Sequence, residues 1–442
     1  MKQALTRRTF LAGAGAAAAS LTLGRASAKP KAPRVSPLDK LNIAGIGVGG
    51  RGSVNLDEVS SENIVALCDV DDERARTGGA PDRWPDAKRY RDFRKMFDEM
   101  ANEIDAAVIS TPDHTHAVIA LAAMQLGIHV YVEKPLSHSI KEARAMRDAA
   151  RTYGVVTQMG NQGMGGDGLR RTCERVWSGA IGDVHTVHFW LDAEDLAPGW
   201  WPGGEDRPEE TPEVPQHLDW DLWLGPAPYR SYSPAYLPAR WRGWWEFGTG
   251  LLGDRAIHRE SVFIPLQLGA PNSVEAVRQE GMTEAAFPNS TVVRYEFPAR
   301  AGMGPVTVYW YDGGERPALE DMPEDFPPNI LEESSGQIFL GTGGAMSWGS
   351  IVPEVTGNYE EPPEMLPRSP GHHQEFIQAC KGGPRTWSNF DYAARATEIV
   401  LLGHVALRAG EKIEWDGEKV TNIDAANEYL HREYRDGWSL AY

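Results

Sequence analysis

At 442 residues the chain is long enough for two domains with sizeable cores. Its 41% hydrophobic and 24% charged residues are ordinary for a globular protein. A formal net charge of -18 sets it against nucleic acid and anionic membrane surfaces, which are both polyanions, and leaves a neutral small molecule open as its partner.

The chain opens on "LTRRTFLAGAGAAAASLTLGRASA": paired Arg7 and Arg8, then Phe10 and Leu11, then an Ala/Leu-rich run ending in Ala26, Ser27 and Ala28. A charged start, an apolar middle and a small-residue cleavage site read as an export signal over residues 1–28. The twin arginine resembles the signal of the twin-arginine route and implies a periplasmic protein. The apolar run is shorter than the ~20 residues a span needs, so no membrane span is expected in the mature protein. Three cysteines, Cys68, Cys173 and Cys380, are an odd count that cannot form a disulfide framework. A protein that folds in a reducing compartment before export needs none.

After a polar linker over residues 29–38, "LNIAGIGVGGRGS" places the strand-like Leu41, Ile43 and Ile46 around a G-x-G-x-x-G spacing. Its glycines are Gly45, Gly47 and Gly50, with Gly49 and Arg51 beside them. A second strand-like run, "NIVALCDVD", ends in Asp69, 24 residues after Gly45. Strand, glycine turn, helix and a following acid are the context that a dinucleotide fingerprint requires. The glycines admit a pyrophosphate to a helix N-terminus, and the acid accepts from ribose hydroxyls. An acid there repels a 2′-phosphate, which favours NAD over NADP, while Arg51 pulls the other way.

The alternation continues through "KMFDEMANEI" as helix, "DAAVISTP" as strand, "HTHAVIALAAMQLG" as helix, "HVYVEKP" as strand, "SIKEARAMRDAARTYG" as helix and "VVTQMGNQ" as strand. It predicts a Rossmann-type, doubly wound parallel sheet over residues 39–165. Ligands of such sheets sit beyond the carboxyl ends of the strands. Three polar endings fall there: Thr111, Pro112 and His116 in "STPDHTH", Glu133 and Lys134 in "EKP", and Asn161 in "GNQ". All are candidate cofactor contacts. Lys134 is also a catalytic candidate, able to hold or deliver the hydroxyl proton of an alcohol during hydride transfer. A salt bridge to Glu133 is its competing structural role.

On "GIGVGGRG", "STPDHTH", "EKPLS" and "GDRAIH" the chain resembles the Gfo/Idh/MocA (glucose–fructose oxidoreductase / inositol dehydrogenase / rhizopine-catabolism) family from about residue 40 onward. "WLGPAP", "WRGWWEFGTG", "SPGHHQEF" and "SNFDYAA" resemble an exported branch of it. The resemblance implies that a C-terminal α/β domain (residues 166–442) follows the Rossmann domain. It also implies that this domain's large, open, mostly antiparallel sheet mediates a homodimer or homotetramer.

"GLRRTCERVWSGAIGDV" reads as the helix that carries the chain into this second sheet. Eight of the fifteen tryptophans fall within residues 190–245, among Pro- and Gly-rich loops. Most belong to packing, but Trp244 and Trp245 are candidates for stacking on a sugar ring. Asp254 and His258 lie four apart, on one face if helical. The resemblance carries the family's Asp-x-x-x-His pair onto them: His258 exchanges a proton with the substrate hydroxyl, Asp254 orients the site, and Lys134 completes the catalytic set. His372 and His373 are further substrate candidates. No closed ligand spacing points to a metal. Two departures stand out, "HRESVF" where the branch carries "HxxD" and Met164 where relatives carry histidine, and both are expected to flank the substrate.

Three functions follow. The first is an NAD-dependent oxidoreductase acting on a sugar, sugar derivative or cyclitol with a tightly held, recycled cofactor. The second is a glycosidase that works by transient oxidation, elimination and re-reduction. The third is a non-catalytic sugar-binding relative.

Overall fold

The computed structural model describes residues 39–192 and 197–440; the export signal and linker expected over residues 1–38 lie outside the described residues. Six strands, β1 (Asn42–Ile46), β2 (Asn63–Cys68), β3 (Lys88–Tyr90), β4 (Ala106–Ile109), β5 (His129–Glu133) and β6 (Thr157–Gly160), form one sheet in the order β3-β2-β1-β4-β5-β6. Every pairing is parallel. The strand order reverses between β1 and β4, and that switch point opens the crevice at the carboxyl ends.

Local sequence accounts for these elements. All four residues of β4 are buried, as a strand covered on both faces requires. The helix His116–Gln125 is apolar all round and buried along nearly its whole length. The helix Ile140–Tyr153 starts on a capping box: Ser139 accepts from the Glu142 amide, and the Glu142 carboxylate accepts from the Ser139 amide at 3.0 Å. Gly154, at φ 63°, ends it.

The second sheet has eight strands: β7 (Val184–Leu191), β8 (Ser273–Glu280), β9 (Ser290–Phe297), β10 (Val306–Asp312), β11 (Ser335–Gly341), β12 (Gly344–Ser347), β13 (Ser350–Ile351) and β14 (Ile413–Glu414). Their order is β13-β12-β11-β7-β10-β9-β8-β14. The central β7–β10 pair is parallel and the others are antiparallel, as expected of an open, mostly antiparallel sheet.

The two sheets share one core. Ile46 and Val132 of the first, Val187 and Trp310 of the second, and Leu402 of the helix Phe390–Ala409 belong to one contiguous apolar cluster. The helix His372–Cys380 returns to the first sheet and packs Phe376, Ile377 and Cys380 with Tyr131. All three cysteines are buried and unpaired. No helix of the described residues is long and apolar enough to cross a membrane.

The last residues also return to the first domain. Glu142, 1% exposed, accepts from Arg432 Nε at 2.8 Å and from the Tyr434 hydroxyl at 2.5 Å through its other oxygen. One carboxylate therefore caps a helix and anchors the chain end. Removing it strands a buried guanidinium, so Glu142→Ala should lower stability by about 3 kcal/mol. Urea unfolding measures this, and an unchanged midpoint would show that the anchor is idle.

Candidate active site

The crevice is a cavity of about 990 Å³ lined from both domains. One wall is the glycine turn. Gly47 has φ +75°, and a Cβ there would lie 2.8 Å from the Ser110 carbonyl oxygen. Gly52, in the first turn of the helix Gly50–Glu58, lies so close to the glycine turn that a Cβ would meet the Gly47 oxygen at 1.7 Å. The close helix–strand approach thus falls on Gly52, which the sequence reading left out. Gly45 serves packing: a Cβ there would meet Leu56 at 2.7 Å. No side chain caps the helix, and of its first-turn amides that of Gly52 donates to the Gly49 carbonyl at 3.0 Å, which leaves those of Gly50 and Arg51 to meet an anion.

Asp69 sits beside this turn and lines the cavity. Its carboxylate accepts from the amides of Val48 at 2.8 Å, Gly49 at 3.3 Å and Asp71 at 3.0 Å. Burial raises it to about 6, against the opposing pull of those amides. The acid therefore shapes the loop as well as lining the cleft. Glycine turn, uncapped helix start and acid together fit a dinucleotide.

At the end of β5 the charged pair divides. Glu133 accepts from Asn55 Nδ2 and Gln162 Nε2, both at 2.9 Å, and pairs with Arg51 at 3.4 Å. Lys134 does not use Glu133 as its ion partner. Its ammonium lies 2.5 Å from Asp254 Oδ1 and 3.0 Å from the Asp254 carbonyl, across the domain junction. Asp254 comes from the helix Gly250–Ala256, and His258 follows in the next turn, on the same side as expected.

Burial alone would raise the Asp254 carboxyl, but Lys134 and Arg242 outweigh it and hold the acid well below its usual range. Burial, then Lys134 and Arg255, push the His258 ring far below its ordinary value, so it stays neutral. Arg242 Nε is 3.6 Å from Asp254, and its guanidinium lies 4.2 Å from the Trp241 ring centre and 5.0 Å from that of Trp200. Lys134, Arg242 and Arg255 thus surround Asp254 and give this corner of the pocket three cations suited to a developing oxyanion.

Asp113 is a further carboxyl here that sequence reasoning passed over, although it stands in "STPDHTH". It lines the cavity and accepts from Thr249 Oγ1 at 2.7 Å. Burial, then Asp254, raise it to about 7. Thr111 and Pro112 line the same wall.

Six of the expected residues do other work. His116 is buried, with Nδ1 on the Pro135 carbonyl at 2.9 Å and Nε2 on that of Thr111 at 2.8 Å; it ties two cleft loops together without lining the cleft. Asn161 is wholly buried against Ser388. His372 bonds the Met159 carbonyl at 2.9 Å, and His373 stacks on Tyr131 and bonds Asn55 at 3.2 Å. Trp244 is buried, edge-on to Tyr236, and Trp245 lies against Phe287. The tryptophans that do line the cleft include Trp200, Trp201, Trp223 and Trp241. Among the described residues no group of three or more His, Cys, Asp or Glu is placed to hold a metal ion.

Comparison with known proteins agrees with this architecture. Residues 41–161 match the model of an oxidoreductase family's NAD-binding Rossmann fold, and residues 199–279 match that family's C-terminal α/β domain. A glycosyl hydrolase family 109 protein of Shewanella pealeana is 30% identical over 232 residues, 45% of this chain and 50% of the relative. A second, from Akkermansia muciniphila, is 30% identical over 219 residues, 40% of this chain and 45% of the relative. The chain thus spans about half the length of these curated relatives. Among solved structures, the WlbA dehydrogenase of Bordetella pertussis in complex with NADH and UDP-GlcNAcA superposes with a TM-score of 0.58 at 16% identity, over 85% of this chain and 99% of that one. GenD2 from gentamicin A biosynthesis, in complex with NAD, gives 0.57 at 19% identity, over 86% and 97%.

The two departures from the family pattern lie behind the cleft and do not line it. Met164 is fully buried in a small cluster with Leu169 and Cys173. Glu260 lies under the turn that holds Gln162; a Cβ on Gly163 would come within 1.7 Å of its Oε1. Its other oxygen has no hydrogen-bond partner, and burial raises the acid to about 8. Between its ordinary value and about 8 the folded chain keeps a proton that the unfolded chain releases. Stability therefore falls as pH rises through that window. Relative to the parent, Glu260→Gln should gain stability across it by up to about 1.4 kcal/mol per pH unit. Urea unfolding at pH 5 and pH 8 checks the sign, and parallel pH profiles would refute it.

Proposed function

We propose that this chain, whose residues 41–161 and 199–279 match the NAD-binding and C-terminal domain models of the Gfo/Idh/MocA oxidoreductase family, transfers hydride between NAD and a hydroxyl of a sugar, sugar derivative or cyclitol. NAD rather than NADP, kept bound from one turnover to the next, completes the reading. It rests on one observation: Lys134, Asp254 and His258 line the same cavity as the glycine turn, with Asp254 buried and the other two half-buried.

Bound NAD supplies the hydride acceptor and donor, and this chain's residues manage the proton. The Lys134 ammonium donates to the substrate hydroxyl oxygen and stabilises the negative charge that grows there as hydride leaves. Asp254 fixes the ammonium in place. His258, held neutral, takes the hydroxyl proton on a ring nitrogen, and Arg242 and Arg255 add positive potential. Acid–base groups placed in this way contribute about 10²–10⁴-fold. The complex of WlbA with NADH and UDP-GlcNAcA supports a sugar derivative as the substrate class. The Arg7–Arg8 segment supports twin-arginine export to the periplasm, a route suited to a protein already folded around its cofactor. A homodimer or homotetramer through the second sheet belongs to the same reading.

The glycosyl hydrolase relatives favour a second reading on the same residues. Oxidation at C3 of a glycoside acidifies the neighbouring C2–H. Loss of that proton expels the anomeric substituent, water adds to the resulting double bond, and re-reduction returns the hydride. Bond cleavage then leaves no net NADH, which separates it from simple oxidation.

Lys134→Ala should keep its nucleotide and lose turnover by about 10²–10⁴-fold; undiminished turnover would remove the lysine from the chemistry. Mature protein denatured after recovery from the periplasm should release NAD(H) in near one-to-one amount. Incubation with aryl glycosides and sugars then assigns the reaction: aglycone release without NADH marks the glycosidase, and stoichiometric sugar oxidation marks the oxidoreductase. A protein that carries no nucleotide would end the retained-cofactor reading.

A further inference from the structure

One end of the cavity lies about three strand spacings, some ~14 Å, from Lys134, at β2 and β3 rather than β5. It is lined by Asp69, Asp71, Arg74 and Phe93 and closed by Trp438. Trp438 is half-buried, 6.2 Å from the Phe93 ring and 4.8 Å from the Arg94 guanidinium. The proton-transfer chemistry makes no use of this wall. Given a nucleotide whose pyrophosphate meets the glycine turn and whose reacting ring meets Lys134, it is where the adenosine half falls.

The tail that brings Trp438 here is anchored to both domains. Arg432 and Tyr434 hold Glu142 of the first domain. Arg435 donates to the Gly225 carbonyl at 2.5 Å and to the Asp221 carboxylate at 2.6 Å. Asp221 belongs to a segment that crosses the first sheet's edge. There the Asp72 amide donates to the His217 carbonyl at 3.0 Å, and the Asp219 amide donates to the Val70 carbonyl at 2.8 Å. Two stretches more than 200 residues apart in sequence are thus joined by Arg435 into a bar across the adenosine end.

We propose that Trp438 is an adenine-binding residue of the dinucleotide site, and that the bar formed by residues 217–225 and 432–438 locks the nucleotide in. The proposal rests on the reading that the cleft holds NAD. A base stacks on an aromatic face with a gain that corresponds to roughly ten- to hundredfold in affinity. Slow release of NAD is what an enzyme that recycles its hydride within one cleft requires.

The test loads the full-length mature protein with carbon-14-labelled NAD and chases it with excess unlabelled NAD. Trp438→Ala and Arg435→Gln should release label at least tenfold faster than the parent, while Trp438→Phe stays within a few-fold of it. Circular dichroism and melting curves confirm that each variant is folded, and Arg435→Gln keeps the test decisive if the Ala variant does not fold. Affinity for nicotinamide mononucleotide, which has no adenine, should be unchanged in Trp438→Ala. Release rates within twofold of the parent in folded Trp438→Ala and Arg435→Gln, or equal weakening of the mononucleotide, would overturn the proposal. A parent protein that binds no NAD at all would instead remove the cofactor reading beneath it, and the proposal with it.

Discussion

The ion pair between Lys134 and Asp254 sets the geometry of the cleft. A carboxylate as buried as Asp254 is costly to desolvate unless cations are held against it. Lys134 arrives from the first domain, and Arg242 and Arg255 from the second. Neither domain could satisfy the charge alone, so the junction is fixed where both sets meet. The shared apolar core along the helix Phe390–Ala409 supplies the rigidity that makes such a placement stable.

The same reasoning explains why a buried strand can end in two charges. Glu133 and Lys134 face apart and are satisfied by different sets. Asn55, Gln162 and Arg51 take the carboxylate, and Asp254 takes the ammonium. Burial then sorts the other titratable groups. His258 is neutral and Asp254 ionised, while Asp113 is poised near neutrality beside them. Environments that drive neighbouring groups apart in this way are how one pocket comes to hold both a proton acceptor and a fixed charge.

The tryptophans show what the loops of residues 197–247 need. Pro- and Gly-rich chain has few backbone hydrogen bonds with which to hold its shape, and large rings anchor it instead. Trp220 stacks on Trp223 at 4.7 Å, and Trp244 and Phe247 pack on Tyr236. Trp200, Trp201, Trp223 and Trp241 line the cleft, and the Arg242 guanidinium lies against the rings of Trp200 and Trp241. Ring count along the sequence therefore marked the region but not the ligand face.

What the sequence determined by itself is local in origin. Strand and helix periodicity, the glycine spacing up to Asp69, and the capping box at Ser139 and Glu142 each depend on residues a few positions apart, and they predicted the parallel sheet and its ligand end. The glycine turn and Lys134 were legible because strand ends direct them, and Asp254 and His258 through the resemblance that "GDRAIH" carries. Tertiary structure decided which of the remaining polar groups stay free. His372 and Asn161 have the right chemistry, but a carbonyl and a hydroxyl brought from elsewhere in the fold consume it. Asp113 became a candidate only because Asp254 lies beside it, and Trp438 only because the tail folds back over β2 and β3. A side chain's availability depends on neighbours more than a hundred residues away, and no short stretch of sequence contains them.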